Sequence, residues 1–137
     1  MKAYLLDTSA LIALRDGEAG AQRVAALLQG QRDKTLKVYA CFLSRFEILY
    51  RVWKDEGETT GRQALTNVQA LPIEWIEHSE ALMQAAAAIK ATAALSVADA
   101  WIAASANQAN AILVHKDPEF SKLKLAQEAL PFKASAA

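Results

Sequence analysis

Four carboxylates are the residues whose types and spacing could do chemistry: Asp7, Glu47, Asp99 and Asp117. Asp7 interrupts Tyr4-Leu5-Leu6-Asp7-Thr8-Ser9-Ala10-Leu11-Ile12, where a short strand-like apolar run gives way to apolar residues at a helical interval. Glu47 stands three residues after Ser44 and Asp99 three after Ser96, both in the first turn of an expected helix. Asp117 lies just past the apolar run Ala111–Val114, in front of Pro118. Taken singly, each has an ordinary local explanation. Asp is a favoured helix N-cap, Ser-x-x-Glu and Ser-x-x-Asp match a capping box, and Asp-Pro opens turns.

Taken together they point elsewhere. In a parallel sheet the carboxyl ends of the strands and the amino ends of the following helices share one rim, where such folds place their ligands. Acids separated by 40, 52 and 18 residues therefore meet at one place. Two carboxylates about 4 Å apart at an effective dielectric near 20 repel by roughly 4 kcal/mol, so convergence calls for a counter-charge. With His78 and His115 unsuited to pairing on a helix and Cys41 alone, zinc lacks its usual ligands, whereas Mg²⁺ or Mn²⁺ prefers carboxylate oxygens. One or two such ions lower the pKa of a bound water and stabilise charge on a phosphate in flight, which is what phosphodiester hydrolysis requires.

The elements that must position these acids follow from periodicity and punctuation. After the first strand and helix, Asp16-Gly17 and Gly20 mark a break, and Ala21–Leu28 reads as a second helix closed by Gly30. Lys37–Leu43 reads as a central strand, and Ser44 opens a helix whose apolar positions are Phe46, Leu49, Tyr50 and Trp53. Gly57 ends it. Glu58–Leu71 is the next helix, Ile73–Ile76 a short strand, Ser79–Thr92 an Ala-rich helix, and Ser96–Asn107 a further one. Ala111–Val114 is a strand, and Glu119–Phe132 supplies one last short element. Strands alternating with helices predict an α/β fold, a single-domain three-layer α/β/α sandwich around a parallel sheet, spanning residues 1–132 with a disordered tail at 133–137. The three tryptophans read as core, and His78 as a surface residue.

A chain of 137 residues that is 53% hydrophobic can bury a sufficient core without disulfides or metal staples. Cys41, in an apolar run, reads as a small core residue, and a reducing cytoplasm as the compartment. Asp7 breaks the apolar core that a signal peptide needs, and Ala81–Val114 carries too many polar residues to span a bilayer, so no membrane association is expected. Fifteen basic and fifteen acidic side chains give zero formal charge, so a polyanion would have to be held locally. Arg45, Arg51 and Lys54 flank Glu47, Arg15 follows the first helix, and Lys116 adjoins Asp117. These are the candidate phosphate contacts, with Arg51 equally suited to pair with Glu47 one helical turn away.

The chain resembles PIN-domain proteins, and most closely the short VapC-type toxin endoribonucleases. The resemblance rests on Leu6-Asp7-Thr8-Ser9-Ala10-Leu11-Ile12, Ser44-Arg45-Phe46-Glu47-Ile48, Leu95-Ser96-Val97-Ala98-Asp99-Ala100 with Ile102-Ala103, and Leu113-Val114-His115-Lys116-Asp117 with Phe120. These run in the family's order from residue 6 to 120. The resemblance implies Mg²⁺ or Mn²⁺ dependence, hydrolytic cutting of single-stranded RNA, a homodimer, and a small cognate antitoxin whose tail occupies the acidic site through a basic side chain. It makes Asp7, Glu47, Asp99 and Asp117 the acidic quartet, with Asp7 and Asp99 the foremost metal ligands and Ser9 the small hydroxyl residue that orients a water or ligand. His115 departs from the pattern, since the family commonly has Thr or Ser shortly before the fourth acid.

Two other classes fit parts of the sequence. An aspartyl phosphotransfer domain would use Asp7 as nucleophile, but a phosphatase of the haloacid-dehalogenase kind has a second Asp two residues on, where this chain has Ser9. A catalytically silent PIN-fold binding module would keep the acids as caps.

Overall fold

Strand β1 (Ala3–Leu6) is the axis of the molecule, because its side chains alternate between two cores. Tyr4 and Leu6 face one core and Leu5 the other. The computed structural model describes residues 1–132, and the expected tail at 133–137 lies outside the described residues. A five-stranded sheet has the order β3-β2-β1-β4-β5, with β2 (Lys37–Cys41), β3 (Glu74–Ile76), β4 (Ile112–His115) and β5 (Gln127–Ala129). Every neighbouring pair is parallel. Strand order turns around at β1, which has β2 on one side and β4 on the other. The carboxyl ends of β1 and β4 thus form a topological switch point, where a crevice opens.

On one face, α1 (Thr8–Asp16), α2 (Ala21–Arg32), α3 (Phe42–Glu56) and α4 (Glu58–Gln69) bury Leu11, Val24, Leu27, Ile48, Val52, Ala64 and Val68 against Leu6, Val38 and Val114. On the other, α5 (Glu80–Thr92) and α6 (Val97–Gln108) bury Leu82, Ala86, Ile102 and Ala103 against Leu5, Cys41 and Leu113. The expected three-layer α/β/α sandwich is therefore present. Cys41 is buried, as expected.

Helix α3 departs from the sequence reading in two respects. It begins at Phe42, with Cys41 as the capping position, so Ser44 sits inside the first turn and caps nothing. Its buried stripe is Ser44, Ile48 and Val52, one to two residues out of phase with the aromatic stripe. Phe46, Tyr50 and Trp53 are consequently exposed, at 60%, 44% and 40%. Trp53 is thus not a core residue. Arg62 covers its ring, the guanidinium carbon lying 5.3 Å from the centroid. Gly61 lets α4 run close beneath, since a Cβ there would lie 2.9 Å from the Trp53 backbone.

The C-terminal segment also holds more than the one short element expected. A 3₁₀ helix (Pro118–Lys122) buries Phe120, and β5 then adds a fifth strand beside β4.

Candidate active site

The site is built from the four loops and helix starts at the carboxyl rim. Asp7 is the first residue after β1 and the N-cap of α1. Its Oδ1 accepts the Ala10 N–H at 2.9 Å and the Ser9 hydroxyl at 2.7 Å. Among the described residues nothing bonds its Oδ2. The cap and an available oxygen thus coexist in one carboxylate. Asp99 occupies the first turn of α6, whose N-cap Ser96 accepts the Asp99 N–H at 3.1 Å. The return bond of a capping box, from the Asp99 carboxylate to the Ser96 N–H, is absent among the described residues. Asp117 follows β4 and opens the 3₁₀ helix, its Oδ1 accepting the Glu119 N–H at 3.0 Å.

Glu47 is placed differently. The Thr8 hydroxyl donates to its Oε1 at 2.6 Å, and the Thr8 and Ser44 hydroxyls lie 2.9 Å apart. Because the single Thr8 proton goes to Glu47, Ser44 must be the donor to Thr8. Ser44 is fully buried and Thr8 nearly so, so this chain pins Glu47 from below. Ser9 forms a second brace: it donates to Asp7 and accepts the Lys116 N–H at 2.8 Å, linking the α1 turn to the loop that carries Asp117.

The four acids, with Thr8, Ser9, Arg51, Ser96 and Glu119, line one cavity of about 420 Å³. Its electrostatics confirm the proximity. Burial, opposed by the Ser9 and Ala10 bonds and assisted by the charges of Asp117 and Glu47, pushes the Asp7 carboxyl up to about 7. Burial, then a hydrogen bond and the charge of Asp117, then the charges of Asp7 and Glu47, pushes Asp99 up to about 7 as well. Each acid on the list of sequence candidates thus reaches the same place. A separate apolar cleft, lined by Leu11, Ile12, Leu14, Ile48, Ala64, Val68 and Leu71, lies on the α1–α3–α4 side and holds none of them.

The basic candidates divide. Arg15 pairs with Asp16 at 2.8 Å and Glu56 at 2.9 Å, Lys116 with Glu18 at 3.2 Å, and Arg45 with Glu77 while its guanidinium lies 4.9 Å from the Trp75 ring centroid. Arg51 lines the cavity and has no carboxylate partner among the described residues, so the alternative of an Arg51–Glu47 pair is not realised.

The donor set fits a hard divalent cation. All the converging donors are oxygens, two of the carboxylates are pushed up to about 7 by burial first and by neighbouring acids second, and a cation is the charge that would restore them. Among the described residues no three groups are already drawn into a closed coordination sphere. Mg²⁺ does not need one, since it keeps several waters and is usually bound through one or two carboxylates plus substrate phosphate.

Two participants were given no role by sequence reasoning. Thr8 stood only as part of the first motif, and its contact with Glu47 depends on α3 starting earlier than the sequence suggests. His115, which stands where the family commonly has a hydroxyl, is 2% exposed and bonded on both ring nitrogens.

A PIN-domain family model matches residues 4–125. The chain belongs to the PIN-domain family. Solved structures share the fold at low identity. The structure of VapBC2 from Rickettsia felis bound to a fragment of promoter DNA matches with TM-score 0.75 and 18% identity, covering 94% of this chain and 99% of that one. DNA-bound VapBC from Salmonella typhimurium matches with TM-score 0.72 and 14% identity over 94% and 98% of the two chains. FitAcB from Neisseria gonorrhoeae matches with TM-score 0.66 and 20% identity over 90% and 95%. No curated protein matches the chain. No helix among the described residues is long and apolar enough to cross a membrane.

Proposed function

We propose that this protein is a Mg²⁺- or Mn²⁺-dependent endoribonuclease that hydrolyses phosphodiester bonds in single-stranded RNA, and that it is the cytoplasmic toxin of a type II toxin–antitoxin pair. The observation that carries this reading is the convergence of Asp7, Glu47, Asp99 and Asp117 from four separate segments on one cavity, two of them pushed up to about 7. Caps alone do not account for it, because a cap leaves its acid ionised and needs no neighbour.

Asp7, through its Oδ2, and Asp99 would hold the first ion, with Asp117 and Glu47 completing the acidic wall. When bound, the ion supplies an acidified water and offsets charge on the phosphate. Thr8 occupies Glu47 Oε1, so Glu47 Oε2 would be the oxygen to take a proton from an attacking water. Ser9 and Ala10 keep Asp7 Oδ1 occupied, which leaves Oδ2 as the oxygen for a ligand. Arg51 would hold a phosphate beside the acids, and Arg15, Arg45 and Lys116 would contribute only by exchanging their present carboxylate partners. The toxin assignment is supported by the VapBC and toxin–antitoxin complexes among the structural relatives. A small antitoxin would silence the site with a basic side chain, a guanidinium replacing the cation among the carboxylates. A homodimer belongs to the same reading.

The test compares Asp99→Asn with wild type for cleavage of unstructured RNA in Mn²⁺ and for thermal stability in the same buffer. Lost cleavage with stability kept or raised supports a metal ligand. Intact cleavage overturns the reading and leaves Asp99 a first-turn acid of α6 that only favours the helix dipole.

A further inference from the structure

His115 is the one buried imidazole, and its tautomer can be derived. Gln127 donates from Nε2 to two backbone carbonyls, Phe120 O at 3.0 Å and Leu123 O at 3.2 Å. Those bonds orient the amide, so Gln127 Oε1 must face His115 Nε2, 2.8 Å away, as an acceptor. The ring therefore carries its proton on Nε2. Its Nδ1 is left with a lone pair, which accepts the Asp117 N–H at 3.2 Å. Phe120 packs on the ring with centroids 5.1 Å apart, and the His115 backbone carbonyl accepts the Leu130 N–H at 2.7 Å.

We propose that His115, held in its Nε2–H tautomer by Gln127, is a positioning residue that fixes the Asp117 backbone so that its carboxylate is presented to the acid cavity. The loop between β4 and the 3₁₀ helix then has three anchors. Lys116 N–H is held by Ser9, Asp117 N–H by His115, and Asp117 Oδ1 by the Glu119 N–H. The last of these leaves the second carboxylate oxygen of Asp117 for the cavity, which Asp117 lines. The arrangement makes the edge strand β5 part of the site. Gln127 lies on it, and through the imidazole it acts on an acid ten residues earlier in the chain.

The proposal rests on reading Asp117 as one of the acids that face the cation, and its test separates the two claims. In metal-free wild-type protein, long-range ¹H–¹⁵N spectra of the imidazole should show the proton on Nε2. A proton on Nδ1 overturns the proposal outright. Mn²⁺ affinity, measured by electron paramagnetic resonance, is then compared in His115→Asn and His115→Gln. Asparagine places a side-chain oxygen near the Nδ1 position and should bind Mn²⁺ within about twofold of wild type. Glutamine reaches Gln127 but leaves the Asp117 N–H without its acceptor, and should bind about 2- to 10-fold more weakly, the equivalent of one net hydrogen bond. A purely structural histidine lowers the melting temperature of both variants and leaves Mn²⁺ affinity alone. Equal affinity of folded His115→Gln and wild type therefore refutes the positioning role while leaving the nuclease reading intact. Absence of Mn²⁺ binding to wild type refutes the nuclease reading itself, and the role toward a cation with it.

Discussion

Replacing Asp7 by asparagine in metal-free protein should stabilise the fold at pH 8 and leave it nearly unchanged at pH 4. Asp7 is 2% exposed, and its carboxyl is pushed from 3.8 up to about 7, chiefly by burial. A folded state that holds its proton more tightly than the unfolded chain gains stability at low pH. That gain is complete below about 4, shrinks as the pH rises, and is gone once the folded carboxyl ionises near 7. At 1.36 kcal/mol per unit, the ionised Asp7 costs the metal-free fold up to about 4 kcal/mol at pH 8 relative to pH 4. Asparagine keeps an oxygen for the Ala10 N–H and the Ser9 hydroxyl but carries no charge. Urea unfolding of both proteins in chelator, from pH 4 to 8, reads the difference directly. Glu56 and Glu128, held below their ordinary range by hydrogen bonds from Arg15 and Arg23, act in the opposite direction at lower pH and cancel between the two proteins. The variant should equal wild type at pH 4 and exceed it by a few kcal/mol at pH 8. A variant less stable than wild type at pH 8, or a wild-type stability that does not fall between pH 5 and 8, refutes the account of Asp7 as a charge held at a cost. Saturating Mn²⁺ should reverse the order at pH 8, since about 100 times Kd adds roughly 2.7 kcal/mol to the protein that binds it.

Other outcomes follow from the same geometry. Thr8→Val removes the donor to Glu47 and leaves buried Ser44 without its acceptor; unfolding should show a loss of about 1 to 3 kcal/mol, and kcat should fall in Mn²⁺. Arg51→Ala should weaken RNA binding across sequences and make its salt dependence shallower by about one ion, whereas Arg15→Ala should change neither, as titrations at several salt concentrations would show. Gly61→Ala places a carbon 2.9 Å from the Trp53 backbone and should cost about 1 to 3 kcal/mol through forced separation of α3 and α4, measured by thermal melting.

The site was more legible in the sequence than its supports. Asp7 and Asp117 could be placed because apolar runs of four residues end just before them, and a strand that short has few possible ends. Asp99 was placed by Ser96, which does cap α6. Glu47 was placed correctly for a wrong reason. The Ser44-x-x-Glu47 spacing imitates a capping box, yet the expected strand Lys37–Leu43 ends at Cys41, and the early helix turns Ser44 inward to meet Thr8. Apolar residues such as Phe42 and Leu43 suit either element, and only packing against α6 and α1 decides. The same phase error hid the exposure of Phe46, Tyr50 and Trp53. Strand β5 escaped notice because Gln127-Glu128-Ala129 has no strand-like composition; it pairs because β4 offers an edge and Gln127 fastens the loop above it.

The most direct measurement is anomalous scattering from a crystal of the wild-type protein soaked in Mn²⁺. The expected result is a peak in the cavity within bonding distance of Asp7 Oδ2 and the Asp99 carboxylate, lost in Asp99→Asn. A cavity without a peak at Mn²⁺ concentrations that support RNA cleavage, or a peak unaffected by that substitution, would contradict the account.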